Sequence, residues 1–299
     1  MNKLKFIAYS ILVILLSSSI KATSQEVLDE EYIQNIFSHS ILINAQTTET
    51  IAKKGFEFRI QHRFSEIDLH NFGESVGQDF LGFDGSANIR FSFAYALSNN
   101  LQIGIGRTKI DKLVDFDAKY RLLRQKETGV PISLTLYINA GIATGDFPEV
   151  GPGEFFADYR TPFDYKFSHR LSYSTQILIS KKLGDNLALE LNPTFIYKNL
   201  VPAGYDNFVA AATLGGRYKT GLNSHVIFEF STKFNNRKGN FKDPISIGYE
   251  IGTAGHAFQF FVSNTNQIME QNLYFSNPLD YSNGKFLLGF NIKRTFWRK

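Results

Sequence analysis

The side chains best suited to acid–base or nucleophilic chemistry are six histidines: His39, His62, His70, His169, His225 and His256. Only His169 has hydroxyl groups nearby that suggest a nucleophile–base pair, at Ser172 and Ser174. A hydrolase needs these groups within hydrogen-bond reach, but alternation along a strand places both serines on the face opposite His169. His62 and His256 are interpreted as residues that pack or bond to nearby backbone. No catalytic residue is therefore predicted.

Two carboxylates in the stretch "DFDAK", Asp115 and Asp117, share one strand face. Calcium prefers six to eight oxygen ligands, usually from loops, and the neighbouring sequence offers no such set. Pairing with Arg121 or with an arginine on an adjacent strand explains both acids. The GxG at 104–106 lacks the βαβ context of a nucleotide site, and its small residues are interpreted as relief of crowding inside a barrel. Neither a metal nor a cofactor is predicted.

Charged residues of both signs recur on the polar faces of the predicted strands. Eight of them are candidates for ion pairs in a shared interior: Arg59, Arg90, Asp115, Asp117, Arg121, Glu190, Arg217 and Glu250. Charges that are confined with little water are costly unless they are paired. We expect arginine–carboxylate pairs to span this interior and to narrow any channel, rather than to select one ion.

The elements that must position these residues are strands, because polar and apolar residues alternate with a period of two. The pattern is clearest at 88–97, 131–140 and 186–198. Similar segments lie at 55–64, 101–108, 114–121, 167–182, 207–219, 224–235, 244–251, 256–264 and 284–296. About twelve strands result, many near the ~9–11 residues that cross a bilayer when tilted. Alternation predicts that Arg90, Thr135 and Glu190 face the lumen. The residues predicted to face lipid are Phe91, Phe93, Leu134, Leu136, Leu189 and Leu191.

The lengths of the connections alternate as well. The second, sixth, eighth and tenth are tight, whereas the first, fifth and eleventh are long, at roughly 65–85, 145–166 and 265–283. A short third connection and a longer fourth one fit less well. Long loops at one end and short turns at the other are typical of a closed, antiparallel up-and-down transmembrane β-barrel. Both chain termini are then expected in the periplasm.

Export is predicted from the N-terminus. Residues 1–24 combine a basic start, an apolar run and small residues, as in a bacterial signal peptide. Residues 25–54 are interpreted as a periplasmic arm, a lumen plug or an extra strand, and 55–299 as the barrel. The chain has no cysteine, 29 Phe and 14 Tyr, and a net charge of +4 that suggests no nucleic-acid partner.

Six stretches carry a family resemblance: 56–64, 116–125, 171–202, 214–219, 252–268 and 289–296. Across nearly the whole mature chain they resemble an uncharacterised family of bacterial outer-membrane β-barrels, a domain of unknown function. The resemblance implies the fold and the location in a Gram-negative outer membrane, and it implies no activity. The chain departs from many such barrels by ending in "FWRK", which displaces the terminal aromatic to Phe296.

Two classes of function follow from these patterns. The first is a porin-like, narrow or plugged barrel in the outer membrane that acts as a small-solute channel. The second is a non-transporting barrel that serves as a surface-interaction protein or scaffold, and a lipid hydrolase is less favoured still. The expected partners are outer-membrane lipid, small solutes and a protein bound through extracellular loops such as 145–166, whose aromatic and acidic residues suit either a partner or a lid.

Overall fold

The computed structural model describes residues 32–77, 79–237, 241–253 and 255–297. The predicted signal peptide and residues 25–31 lie outside this range. Twelve antiparallel strands form one closed barrel in up-and-down order, as the alternation predicts. The barrel closes where the first strand pairs with the last, with Gly55 opposite Trp297. Closure gives every strand two neighbours, which a membrane requires because hydrocarbon cannot satisfy a free sheet edge.

The strands are β1 Gly55–Asp68, β2 Asn88–Ala96, β3 Leu101–Thr108, β4 Leu113–Leu123, β5 Ser133–Ala143, β6 Leu171–Leu183, β7 Leu187–Lys198, β8 Phe208–Lys219, β9 Ser224–Lys233, β10 Ile245–Gly252, β11 His256–Ser263 and β12 Lys285–Trp297. Within the described residues, two short α-helices, α1 Phe72–Gly77 and α2 Glu270–Leu273, lie in connections. Short 3-10 helices cover Leu69–Asn71, Ile110–Lys112, Phe167–Arg170 and Tyr281–Asn283. No helix among the described residues is long and apolar enough to cross a membrane.

The two faces of the strands separate by polarity. Phe91 and Leu191 are 48% and 45% exposed on the outer surface, whereas Arg90, Thr135 and Glu190 are at most 3% exposed and point inward. The predicted orientation of both sets is therefore confirmed. Because side chains alternate strictly along a strand, one correctly assigned residue fixes the direction of its neighbours.

The two ends of the barrel differ in their connections. One end carries 97–100, 124–132, 184–186, 220–223 and 253–255, and we call it the turn end. The other end carries 69–87, 109–112, 144–170, 199–207, 234–244 and 264–284, and we call it the loop end. The short third and longer fourth connections are those that the sequence indicates as exceptions. Short turns face the periplasm in bacterial barrels and long loops face outward.

One predicted strand begins later than its pattern suggests. Residues Phe167–Arg170 form a 3-10 helix, and β6 begins only at Leu171. Local hydrogen bonds hold this turn, since the His169 amide donates to the Lys166 carbonyl at 2.9 Å and the Lys166 amide donates to His169 Nδ1 at 3.1 Å. The apolar Phe167 continues the alternation in sequence but not in structure.

The outward position of Leu191, midway along β7, gives a test of the membrane face. We expect Leu191→Arg to weaken folding into phospholipid vesicles by about 2–4 kcal/mol, the cost of a charge near the bilayer midplane. Leu191→Met is the matched control, because it keeps an apolar side chain of similar size. Urea titration of folding in vesicles measures both. Equal midpoints for the two variants would contradict the assignment of this face.

Candidate functional site in the barrel lumen

Residues 32–54, which we call the lumen segment, lie inside the barrel. The segment enters at the turn end, where the Ile33 amide donates to the Gln125 carbonyl at 2.9 Å, and leaves there, where the Lys54 amide donates to Ala96 at 3.0 Å. Between these points it forms a small hairpin, in which the Thr47 amide donates to the Ser40 carbonyl at 3.0 Å. Residues 40–48 are all buried. The chain therefore rises into the lumen and returns.

The tip of the hairpin is held by one carboxylate. Glu229, on β9, accepts hydrogen bonds from the amides of Ile43 at 2.6 Å, Asn44 at 2.9 Å and Ala45 at 2.9 Å. The turn itself is closed by the Leu42 amide, which donates to the Ala45 carbonyl at 2.8 Å. Three successive N–H groups that converge on one anion make a strong, charge-assisted contact. Glu229 thus fixes the depth that the hairpin reaches.

Cationic side chains of the wall bind carbonyl groups of the same hairpin. Lys119 Nζ donates to the Ser40 and Thr47 carbonyls at 2.6 and 3.0 Å. Lys293 Nζ donates to the Ile41 carbonyl. Lysine and arginine are rarely buried without a partner, and here main-chain oxygens are among those partners. The inward cations therefore serve largely to hold a peptide.

Neutral side chains complete this recognition. Asn291 donates to the Ile43 carbonyl at 2.9 Å, and Asn192 donates to the Gln46 carbonyl at 2.8 Å. Arg63 adds a contact to the Asn44 side chain at 2.7 Å and one to the Ile43 carbonyl at 3.3 Å. We call the wall residues that bind the main chain of this hairpin the main-chain cradle: Arg63, Lys119, Thr135, Asn192, Glu229, Asn291 and Lys293.

An apolar patch in the lumen receives the side chains of the segment. Ala188, Ile227 and Phe261 of the wall form one buried cluster with four residues of the segment, which are Ile36, Phe37, Leu42 and Ile43. A glycine leaves space beside this cluster, because a Cβ atom at Gly215 would lie 3.0 Å from Leu42. Burial of these side chains adds apolar stabilisation of roughly 1.5–3 kcal/mol each.

The connection 264–284, which we call the infolded loop, fills the lumen from the loop end. The hydroxyls of Tyr274 and Thr213 lie 2.6 Å apart, Lys233 Nζ donates to the Tyr274 carbonyl at 2.9 Å, and Lys198 Nζ donates to Asn272 at 2.7 Å. The loop meets the lumen segment where Gln46 Nε2 donates to Glu270 Oε1 at 3.3 Å. The interior is therefore occupied by the lumen segment from the turn end and by the infolded loop from the loop end.

The eight ion-pair candidates all lie on the strands, and they meet different partners. Arg90 and Asp115 contact each other at 2.7 Å. Arg59 lies 3.3 Å from Glu57, which is outside the candidate set. Arg121 lies 3.5 Å from Glu49 of the lumen segment.

The other four candidates pair with no candidate arginine or carboxylate. Arg217 donates to Ser38 and to the Asn35 carbonyl. Glu250 accepts from Gln259 at 2.6 Å. Glu190 and Asp117 form no ion pair with any described residue.

The histidines and serines that the sequence analysis considered lie at separate places in the structure. His169 accepts from the Lys166 amide within its loop, while Ser172 and Ser174 are buried on the inner face. His62 lies parallel to Phe290 on the outer face, with ring centroids 5.0 Å apart. Among the described residues no cluster of three or more His, Asp or Glu could hold a metal ion.

The glycines of the GxG have the role that the sequence suggests. A Cβ atom at Gly104 would collide with the Asp117 carboxylate, and one at Gly106 with the Arg90 guanidinium. Both glycines therefore make room for charged side chains from neighbouring strands.

Sequence reasoning missed the cradle as a site. Asn192 and Asn291 carry no motif, and main-chain contacts leave no pattern in the segment's side chains. One signal was available, because residues 36–51 hold a single carboxylate, Glu49, and no lysine or arginine. So little charge in a stretch directly before the first strand is typical of buried chain.

A closed barrel of antiparallel strands with an apolar outer face and a polar, filled interior is an outer-membrane β-barrel. The family model described as "Membrane bound beta barrel domain (DUF5777)" matches residues 37–296. The chain belongs to this family, as the sequence resemblance indicates. A comparison with curated proteins found no significant match.

Several solved structures are similar to this chain at low sequence identity. An outer membrane channel from Pseudomonas putida F1 is 14% identical, with a TM-score of 0.50, and the match covers 83% of this chain and 98% of that one. The NanC porin is 8% identical, with a TM-score of 0.48 and coverage of 82% and 100%. An outer membrane phospholipase A from Escherichia coli is 12% identical, with a TM-score of 0.41 and coverage of 90% and 98%.

The contact at Glu270 predicts that docking of the infolded loop depends on pH. Burial raises the pKa of Glu270 from 4.5 to about 7. Between about pH 4.5 and pH 7 the Glu270 carboxyl is protonated in the docked loop and ionised in the undocked loop. The stability of docking therefore falls as the pH rises through this range and levels off above pH 7. This difference corresponds to roughly 3 kcal/mol. We expect amide hydrogen exchange in 265–275, corrected for intrinsic rates, to be faster at about pH 8 than at about pH 5.

Glu270→Gln is the control for this measurement, since its amide keeps the shape of the carboxyl and does not titrate. Exchange in that variant is expected to show no such change with pH. The same pH response in both proteins would exclude Glu270 as its source.

Proposed function

We propose that this protein is a small-solute channel of the outer membrane whose lumen is closed at rest by its own N-terminal segment. One observation carries the proposal: residues 40–48 belong to no strand of the barrel, yet wall side chains bind their main chain throughout the lumen. A barrel of twelve strands encloses more space than its own side chains need to fill. A separate segment that fills this space can leave without opening the sheet.

The proposal extends to the domains of the chain. Residues 1–24 act as a signal peptide, residues 25–54 as the plug, and residues 55–299 as the channel wall. The arm and extra-strand interpretations are less favoured, because the described part of the segment runs inside the lumen and pairs with no strand of the barrel as a ladder. Lipid contacts the outer face, and small solutes are the proposed cargo.

The filled lumen also supports a second candidate, a non-transporting barrel that binds a protein through its long loops. Loop 144–170 presents exposed aromatic and acidic groups, with Tyr159 84% exposed and Asp158 held by Thr161 at 2.6 Å. In this alternative the lumen segment is a permanent core. The two candidates differ in whether a loosened segment permits ion flow.

Conductance in planar bilayers separates them. We expect the wild-type protein to conduct weakly and Glu229→Ala to conduct several times more, because the substitution leaves three buried amides of the segment without an acceptor. Each unsatisfied donor costs about 1–3 kcal/mol. Glu66→Ala is the matched control, since Glu66 pairs with Lys285 at the loop end.

Heat-modifiable electrophoretic mobility would establish that each variant is folded. If folded Glu229→Ala conducts no more than Glu66→Ala, the channel proposal fails and the non-transporting barrel is favoured. A wild-type protein that already conducts like an open pore would contradict the resting plug.

A further inference from the structure

The lumen segment shows what kind of molecule the wall recognises. We infer that the main-chain cradle is a general peptide-binding site, and that short, uncharged, aliphatic peptides are the solutes that take the segment's place. The inference rests on the proposed function and deepens it, because it names a class of cargo. The occupant in the structure is itself an uncharged peptide, with the sequence SILINAQTT at residues 40–48 and aliphatic side chains at 41–43.

The first argument is the kind of atom that the cradle binds. Carbonyl oxygens of Ser40, Ile41, Ile43, Gln46 and Thr47 accept from wall side chains. The only wall carboxylate in the cradle accepts three amides. Every peptide has these carbonyl and amide groups, so contacts of this kind do not depend on side-chain identity. A second peptide can form them as well as the tethered one.

The second argument is the apolar patch. Ala188, Ile227 and Phe261 receive aliphatic and aromatic side chains of the segment next to the cradle. A peptide that replaces the segment therefore gains from bulky apolar residues at its turn. Oligosaccharides can donate hydroxyl groups to Glu229, but they have no aliphatic side chains for this patch.

The third argument is the mixture of charge. Lys119 and Lys293 stand with Glu229 and Glu190 around one buried volume, and all four are at most 4% exposed. A small anion would meet the carboxylates, and a small cation would meet the ammonium groups. A neutral ligand with separated carbonyl and amide dipoles can bind groups of both signs, as the segment does at Lys119, Lys293 and Glu229.

The test loosens the segment and leaves the cradle intact. Ile43→Pro combined with Ala45→Pro removes two of the three amides that Glu229 accepts and changes no wall residue. The full-length double variant in planar bilayers would be exposed to a peptide that has the sequence of residues 40–48 and uncharged, blocked termini. The comparison probes are the same peptide N-methylated at the positions of Ile43 and Ala45, and a neutral oligosaccharide of similar mass.

We expect the unmodified peptide to block the current, the N-methylated peptide to block about tenfold more weakly, and the oligosaccharide to have no effect. Adding Glu229→Gln to the double variant should weaken the block by the unmodified peptide. Equal block by both peptides, or block by the oligosaccharide alone, would overturn the peptide assignment and leave the channel standing.

Binding of the fluorescently labelled peptide to the double variant in detergent separates the two proposals. A folded variant that binds peptide but passes no current contradicts the channel and supports the peptide site. A variant that conducts but binds no peptide contradicts the site alone. If the double variant does not fold, Ala45→Pro alone serves the same comparison, since it removes one amide from Glu229.

Discussion

The interior of this barrel is governed by the need to satisfy buried main-chain groups. A hairpin in the lumen has no neighbouring strand to pair with along most of its length, and leaving its amides and carbonyls unbonded would cost several kcal/mol. The wall supplies the missing partners, with Glu229 for the amides and Lys119, Lys293 and Asn291 for the carbonyls. These same contacts satisfy charges that would otherwise be buried unpaired. Segment and wall therefore depend on each other.

This mutual dependence explains why ion pairs across the lumen are fewer than the charges suggest. Arg90 and Asp115 pair because they lie on nearby strands, and Gly106 leaves the space between them. Charges that would have to meet across the centre find peptide in between, as Arg217 does at Asn35 and Ser38. A buried ion pair is in any case weak evidence for stability. Here the charges serve to position a segment.

The two fillings of the lumen differ in character. The lumen segment is bound mainly through its backbone and an apolar cluster. The infolded loop is bound mainly through side chains, such as Tyr274 on Thr213 and Asn272 on Lys198. They meet at Gln46 and Glu270, where one hydrogen bond of 3.3 Å joins them. Movement of either filling therefore changes the surroundings of the other.

The sequence by itself determined the barrel, the twelve strands, the direction of side chains such as Phe91 and Thr135, and the end at which the long loops lie. These properties follow from a local period of two and from loop lengths, both of which are written along the chain. The alternation did not predict the late start of β6, because a single 3-10 turn replaces the strand at Phe167. Only the tertiary structure decided what fills the lumen. Recognition of a backbone uses groups that every residue has, so neither Glu229 nor residues 40–48 carry a pattern from which their contact could be predicted.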